Sequence, residues 1–282
     1  MRDKKIILAP AKLNIFLKVL GKRNDGYHEI RSGITFINLF DKIEIKKNAQ
    51  NNISYIGNFK PKNGFYNDCI IEKVLKFLKI YDKIPLAINI TKNIPVQAGL
   101  GSASSNAAAV IIALEEMNLI KRKNPDYYAY LGADIPCFLF KKDCIATGIG
   151  EKITHFPFPK YFFLLVKPNF NNSTKLMYEK LQIKNNYNYN SQDLTPEKIQ
   201  IREEDAGNDF NQITINESEE YKNIFDLLEN LDKSIFARMT GTGSCCYAVF
   251  EKEEHALKAM IYFQTKFPDL WSIVCENSNI NN

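Results

Sequence analysis

Histidine and tryptophan are scarce in this chain of 282 residues, which carries three of the first (His28, His155, His255) and one of the second. The six cysteines, at 69, 137, 144, 245, 246 and 275, form no C-x-x-C pair. No zinc-ligand spacing can be built from that set. Reduced and mostly buried thiols of a cytosolic protein are the expectation. Long apolar runs are missing too, since the longest, Ala107 to Leu114, is much too short to cross a bilayer. Met1-Arg2-Asp3-Lys4-Lys5 followed by Ile6 to Ala9 imitates the start of a signal peptide, but Pro10, Lys12 and Lys18 interrupt it. A cytoplasmic protein without a membrane partner is expected. Neither sign of charge dominates: 37 Lys and Arg against 32 Asp and Glu leave +5. That excess suits an anionic small molecule and falls well short of a nucleic-acid-binding composition.

What the chain does have is ordinary globular material, 45% hydrophobic and 24% charged. It can build a full core without disulfide staples. Residues 14–20, 34–39, 43–47, 86–91, 144–147, 161–166 and 246–250 read as strands, with Asp41-Lys42 as the joint between the second and third. Helical spacing runs over 68–80, 104–117, 217–232 and 252–266. Asn185 to Gln192 is a polar, low-complexity surface loop. Strands and helices mix without strict alternation, so the class is α+β, with a domain boundary near 155–160.

Five segments could carry chemistry. Pro95-Val-Gln-Ala-Gly-Leu-Gly-Ser-Ala-Ser-Ser-Asn106 leads from a strand through a small-residue loop into a helix. Gly99 and Gly101 permit close backbone approach. The helix start offers unpaired N–H groups and a positive dipole end, with Ser102, Ser104 and Ser105 as added donors. A phosphate cradle and a tightly packed strand-to-helix turn are about equally compatible with it. It is neither a Walker A loop, for no Gly-Lys-[Ser/Thr] occurs, nor a dinucleotide fingerprint, for the third glycine is missing. Met239-Thr-Gly-Thr-Gly-Ser-Cys-Cys246 is a second glycine turn, common between elements. Pro10-Ala-Lys-Leu-Asn14 sets Lys12 and Asn14 on one face of a strand, either as a site or as a solvent-facing edge pair. In Leu131-Gly-Ala-Asp-Ile-Pro136 the lone carboxylate is a cap or a functional acid. Asp25-Gly-Tyr-His28 is a packed turn or a stacking and hydrogen-bonding pair.

In their linear order, over roughly residues 8 to 250, these segments resemble the GHMP kinases, and most of all the members whose acceptor alcohol carries a cytidine diphosphate group. The resemblance implies a two-domain α+β fold, with a ribosomal-S5-like domain over 1–157 and a ferredoxin-like domain over 158–282. It also implies an active site in the cleft between them and transfer of the ATP γ-phosphoryl group to a hydroxyl, with Mg2+ accompanying ATP. Lys12 and Asp134 match the catalytic pair. Pro95, Val96, Gln97, Ala98, Gly99, Leu100, Gly101, Ser102, Ala103, Ser104 and Ser105 match the ATP-binding segment, although related members usually read Gly-Leu-Gly-Gly-Gly-Ser-Ser where this chain has Ser102 and Ala103. Asn14, Tyr27, His28, Thr174, Tyr178, Gly241 and Gly243 match acceptor-binding positions, with Tyr27 stacking on cytosine and Tyr178 closing the other face. No metal residue is implied. A small-molecule partner and a monomer or homodimer are expected; a kinase of another alcohol, or a non-catalytic nucleotide- or RNA-binding protein on this scaffold, are the alternatives.

Overall fold

The structure, a computed structural model, describes residues 4–61, 69–181 and 207–277. The polar run 185–192 lies outside them. In chain order the elements are β1 (Lys4–Lys22), β2 (His28–Lys47), β3 (Asn52–Ile56), α1 (Ile70–Phe77), β4 (Leu86–Thr91), α2 (Ser102–Glu116), a 3-10 turn (Pro125–Leu131), α3 (Ile135–Phe140), β5 (Cys144–Gly148), β6 (Lys152–His155), β7 (Phe162–Lys167), α4 (Thr174–Lys180), α5 (Asn211–Glu217), α6 (Glu219–Glu229), β8 (Phe236–Met239), β9 (Cys246–Phe250), α7 (Glu253–Lys266) and β10 (Trp271–Glu276). The mixed α+β class expected from the sequence is what forms. None of these helices is long and apolar enough to cross a membrane, and all six cysteines are free, five of them buried.

Two compact units share the chain. The first takes Met1–Ala11, Leu39–Val96 and Gly101–Lys141, and the second Lys12–Asn38, Gln97–Leu100 and Lys142–Asn282. In the first, residues 42–47 of β2 run antiparallel to β4, and β3 pairs parallel with β4. Helices α1 and α2 pack on each other, and α2 on α3. Ala107 to Leu114 is buried at all but one position, because this middle of α2 is apolar on every side and faces neighbours all round.

In the second unit, residues 30–34 of β2 run antiparallel to β5, and β5 to β6. A four-stranded antiparallel sheet follows, in the order β10-β7-β9-β8. Leu164, Val166, Ala248 and Phe250 from this sheet pack with Ile224, Phe225 and Leu228 of α6 and with Ala256, Ala259 and Phe263 of α7. Helix α6 is capped by Ser218, whose hydroxyl accepts from the Tyr221 N–H.

One expectation fails. Asp41-Lys42 does not break the chain, and residues 28–47 form one strand. A polar pair reads as a joint when its side chains face water, but Asp41 is fully buried and accepts from the backbone N–H groups of Asn93 and Ile94. The short strands β3, β6, β8 and β10 and the short helices α3, α4 and α5 lie where the sequence offered no period long enough to read.

Candidate active site

Backbone conformation defines the glycine loop. Gln97, Gly99 and Gly101 all have positive φ, at 54°, 74° and 71°. At Gly99 no other residue fits, because a Cβ there would meet the Thr240 carbonyl oxygen at 2.0 Å. Gly101 is the N-cap of α2 in left-handed conformation. The helix makes its first bond from Ser105 N–H to the Gly101 carbonyl at 2.9 Å. The N–H groups of Ser102, Ala103 and Ser104 thus stand at the helix start without an intrahelical carbonyl. The helix carries no acidic residue of its own in that first turn.

The serine hydroxyls have other work. Ser105 donates to the Pro10 carbonyl at 2.6 Å, and Ser102 donates to Asp41 at 3.0 Å. Both are buried, whereas Ala103 is exposed and Ser104 half-buried. The anion-binding capacity of this segment therefore resides in backbone N–H groups more than in hydroxyls. Pro95, Ala98 and Leu100 are buried beneath the loop, with Val96 and Gln97 outward.

Within the second unit, Lys12 and Asn14 are only 3% and 4% exposed, so they are no solvent-facing edge pair. Lys12 Nζ donates to Asn14 Oδ1 at 2.5 Å and to the Gly99 carbonyl at 2.9 Å. Asn14 Oδ1 also accepts from the Gly241 N–H at 2.8 Å and from the Thr240 hydroxyl at 3.2 Å. Its amide nitrogen donates to Ser32 Oγ at 2.7 Å, which donates onward to the Phe16 carbonyl at 2.8 Å. One neutral amide thereby joins the ammonium group to the second glycine turn. Gly241 lies close beneath Lys12: a Cβ there would come within 3.1 Å of the Gly99 carbonyl and 3.4 Å of Lys12 Nζ. Asn208 supports that turn from behind, donating to the Met239 and Gly241 carbonyls at 2.9 and 2.8 Å.

Farther along the same unit, the His28 ring stacks on Tyr178, centroids 4.7 Å apart and planes 30° apart. Tyr178 in turn meets Phe210 edge-on at 4.8 Å. Burial, with Lys22 nearby, holds the His28 pKa below its ordinary value and so favours the neutral imidazole, which has one donor and one acceptor nitrogen. Tyr27 is 60% exposed, and its N–H is held by Asp25 Oδ1 at 3.1 Å. The Thr174 and Thr242 hydroxyls lie 3.1 Å apart. Gly243 has φ 79°, and a Cβ there would run into Met239 and Asn172.

Asp134, in the first unit, occupies the N-cap position of α3, yet its side chain makes no capping hydrogen bond to that helix. Its backbone carbonyl accepts from Phe138 N–H at 3.4 Å and from the Cys137 thiol at 3.0 Å. The residue is half-buried. Ser32, Lys92 and Asn208 were not singled out by sequence, Asp41 was read only as part of a joint, and Thr240 lies in the second glycine segment without a role of its own.

Two family models match parts of the chain. Residues 69–142 match the GHMP kinases N terminal domain, and residues 200–269 match the GHMP kinases C terminal domain. A protein of Francisella philomiragia called 4-diphosphocytidyl-2-C-methyl-D-erythritol kinase is 34% identical over 93% of each chain. One of Syntrophus aciditrophicus with the same name is 32% identical over 96% of this chain and 98% of its own. The crystal structure of a 4-(cytidine 5'-diphospho)-2C-methyl-D-erythritol kinase superposes with TM-score 0.75 at 22% identity, over 97% of this chain and 100% of the other. The chain belongs to the GHMP kinases and, within them, to the family of the 4-diphosphocytidyl-2-C-methyl-D-erythritol kinases.

Proposed function

We propose that the chain transfers the γ-phosphoryl group of ATP to the 2-hydroxyl of 4-diphosphocytidyl-2-C-methyl-D-erythritol, a step of the non-mevalonate (MEP) route to isopentenyl diphosphate. The name shared by relatives of nearly equal length supports the substrate. The observation that carries the chemistry is a buried ammonium group, Lys12, held against the carbonyl of the phosphate-loop residue Gly99. The Asn14 and Gly99 oxygens that it meets there are neutral, and they orient the ammonium group. Such a group can stabilise negative charge on a phosphoryl group in flight.

Lys12 and Asp134 are the catalytic pair of this reading. An alcohol is a poor nucleophile at neutral pH, and a carboxylate that takes or orients its proton makes it a better one. The backbone N–H groups of the loop and of the α2 N-terminus hold the phosphates. His28, with one donor and one acceptor nitrogen, reads the edge of cytosine, and Tyr27 stacks on its face. Tyr178 then acts through His28, whose ring it covers. Asn14, with four internal hydrogen bonds, acts by positioning Lys12 and Gly241. Thr174 and Gly243 flank the same turn from the acceptor side of this reading.

Magnesium accompanies ATP in this proposal and would screen the β- and γ-phosphate charge. Among the described residues no group of three or more His, Cys, Asp or Glu is placed to hold a metal ion. In this reading the ion is carried mainly by phosphate oxygens and water. The boundary between the two kinase domains is placed at 157/158, which puts all of β7 to β10 in the second.

Coupled detection of ADP release over a panel of alcohols tests the substrate. The cytidine-bearing alcohol should be phosphorylated, and CDP should compete with it but not with ATP. Phosphorylation of mevalonate or a free sugar, with no inhibition by millimolar CDP, would refute the acceptor. Asp134→Asn should cut turnover by about 10²- to 10⁴-fold with little change in ATP affinity.

A further inference from the structure

In the first unit a single carboxylate touches both ends of the glycine loop. Asp41 Oδ1 accepts from the backbone N–H groups of Asn93 and Ile94 at 2.7 and 2.9 Å, just before the loop. Asp41 Oδ2 accepts from the Ser102 hydroxyl at 3.0 Å, just after it. Lys92 Nζ closes the triangle, forming an ion pair with Asp41 Oδ2 and donating to Ser102 Oγ. The proton count is consistent, with lysine giving to serine and aspartate, and serine giving to aspartate. All three side chains are buried, Asp41 completely. Asn93 is fixed once more by its amide, which donates to the Phe40 carbonyl at 2.9 Å.

We propose that Asp41 is a positioning residue for the nucleotide loop, clamping residues 92–94 to Ser102 so that the loop's ends are set before a phosphate arrives. The proposal rests on the kinase reading for its nucleotide and goes beyond it in assigning the clamp. Residues 95–101 contain two glycines and three positive-φ positions, a backbone with much freedom to lose. Fixing both ends removes part of that loss from the binding step. Burial lowers the Lys92 pKa while Asp41 opposes the shift, as expected of a desolvated pair that depends on its partner.

The test uses the whole protein and the ATP analogue AMPPNP. Ser102→Ala removes one corner and leaves the ion pair in place; Asp41→Asn removes the hub. Backbone hydrogen exchange without nucleotide should quicken at residues 93–105 in Ser102→Ala and stay as in the unaltered protein elsewhere. AMPPNP binding should weaken roughly tenfold in Ser102→Ala, the scale of one hydrogen bond to a charged group, and more in Asp41→Asn. The KM for ATP should rise with it, while the KM for the acceptor moves less than twofold. Unchanged exchange at 93–105 with AMPPNP binding inside twofold overturns the proposal, and so does exchange that quickens across the whole chain. Failure of the unaltered protein to bind AMPPNP sinks the kinase reading instead; the local exchange difference then decides for or against the clamp by itself.

Discussion

Two polar knots organise this molecule by opposite means. In the first unit the knot is ionic, with the Asp41 carboxylate and the Lys92 ammonium paired out of water and Ser102 between them. In the second it is an amide, Asn14, which receives Lys12, Thr240 and Gly241 on one oxygen. Both are buried, and both anchor a glycine turn. The difference lies in what happens to the lysine charge. Lys92 faces a full negative charge, so its own is spent on structure. Asn14 meets Lys12 with a neutral oxygen and gives it a direction. An ionic hub ties a lysine's charge to the fold, whereas a neutral hub positions a lysine without itself neutralising it.

Exchanging the two chemistries tests this contrast. Asp41→Asn should cost the most, about 3 to 5 kcal/mol of folding stability, because it strands a buried ammonium. Denaturant unfolding measures it, and a loss under 1 kcal/mol would mean that Lys92 finds water or another partner. The converse change, Asn14→Asp, places a carboxylate on Lys12. Turnover should fall roughly tenfold or more as that charge is neutralised, the scale of about 1.4 kcal/mol in the barrier. Unaltered turnover in this variant would break the comparison, leaving Lys12 a structural residue like Lys92.

The smallest expected effect concerns protons. The His28 pKa is lowered by burial, so between that value and 6.5 the unfolded chain binds more protons than the folded one. Stability should therefore rise with pH through this window and be lowest below the folded pKa. His28→Gln should flatten that part of the stability–pH curve slightly. A curve that keeps its slope places the titrating group elsewhere.

The sequence was most legible where a periodic pattern or a glycine had a local cause. Residues 86–91 and 246–250 are strands at the expected bounds, and α2 starts two residues earlier than its pattern suggested. Gly99, Gly101, Gly241 and Gly243 adopt the positive φ that makes such turns recognisable in a sequence. Lys12 and Asn14 were readable as sharing one strand face, because side chains alternate along any strand. Asp134 was readable as an acid placed at a helix start, whereas the missing cap bond of its side chain was not.

Burial and partnership were decided by tertiary structure alone. Asp41-Lys42 has the local chemistry of a turn, yet Asp41 lies inside a strand because Asn93, Ile94, Lys92 and Ser102 bring it donors from 51 to 61 residues away. Asn14 became a hub because Thr240 and Gly241 arrive from 226 and 227 residues along the chain. Ser102 and Ser105 turned inward for the same reason, toward Asp41 and the Pro10 carbonyl. Periodicity and glycine torsions act over a few residues, so the amino-acid sequence by itself determined the strands with a clear pattern, the glycine turns and, through the order of its motifs, the family. Which buried polar group finds a partner depends on atoms distant in the chain that only folding brings within 3 Å or so, the distance at which a hydrogen bond offsets the cost of leaving water.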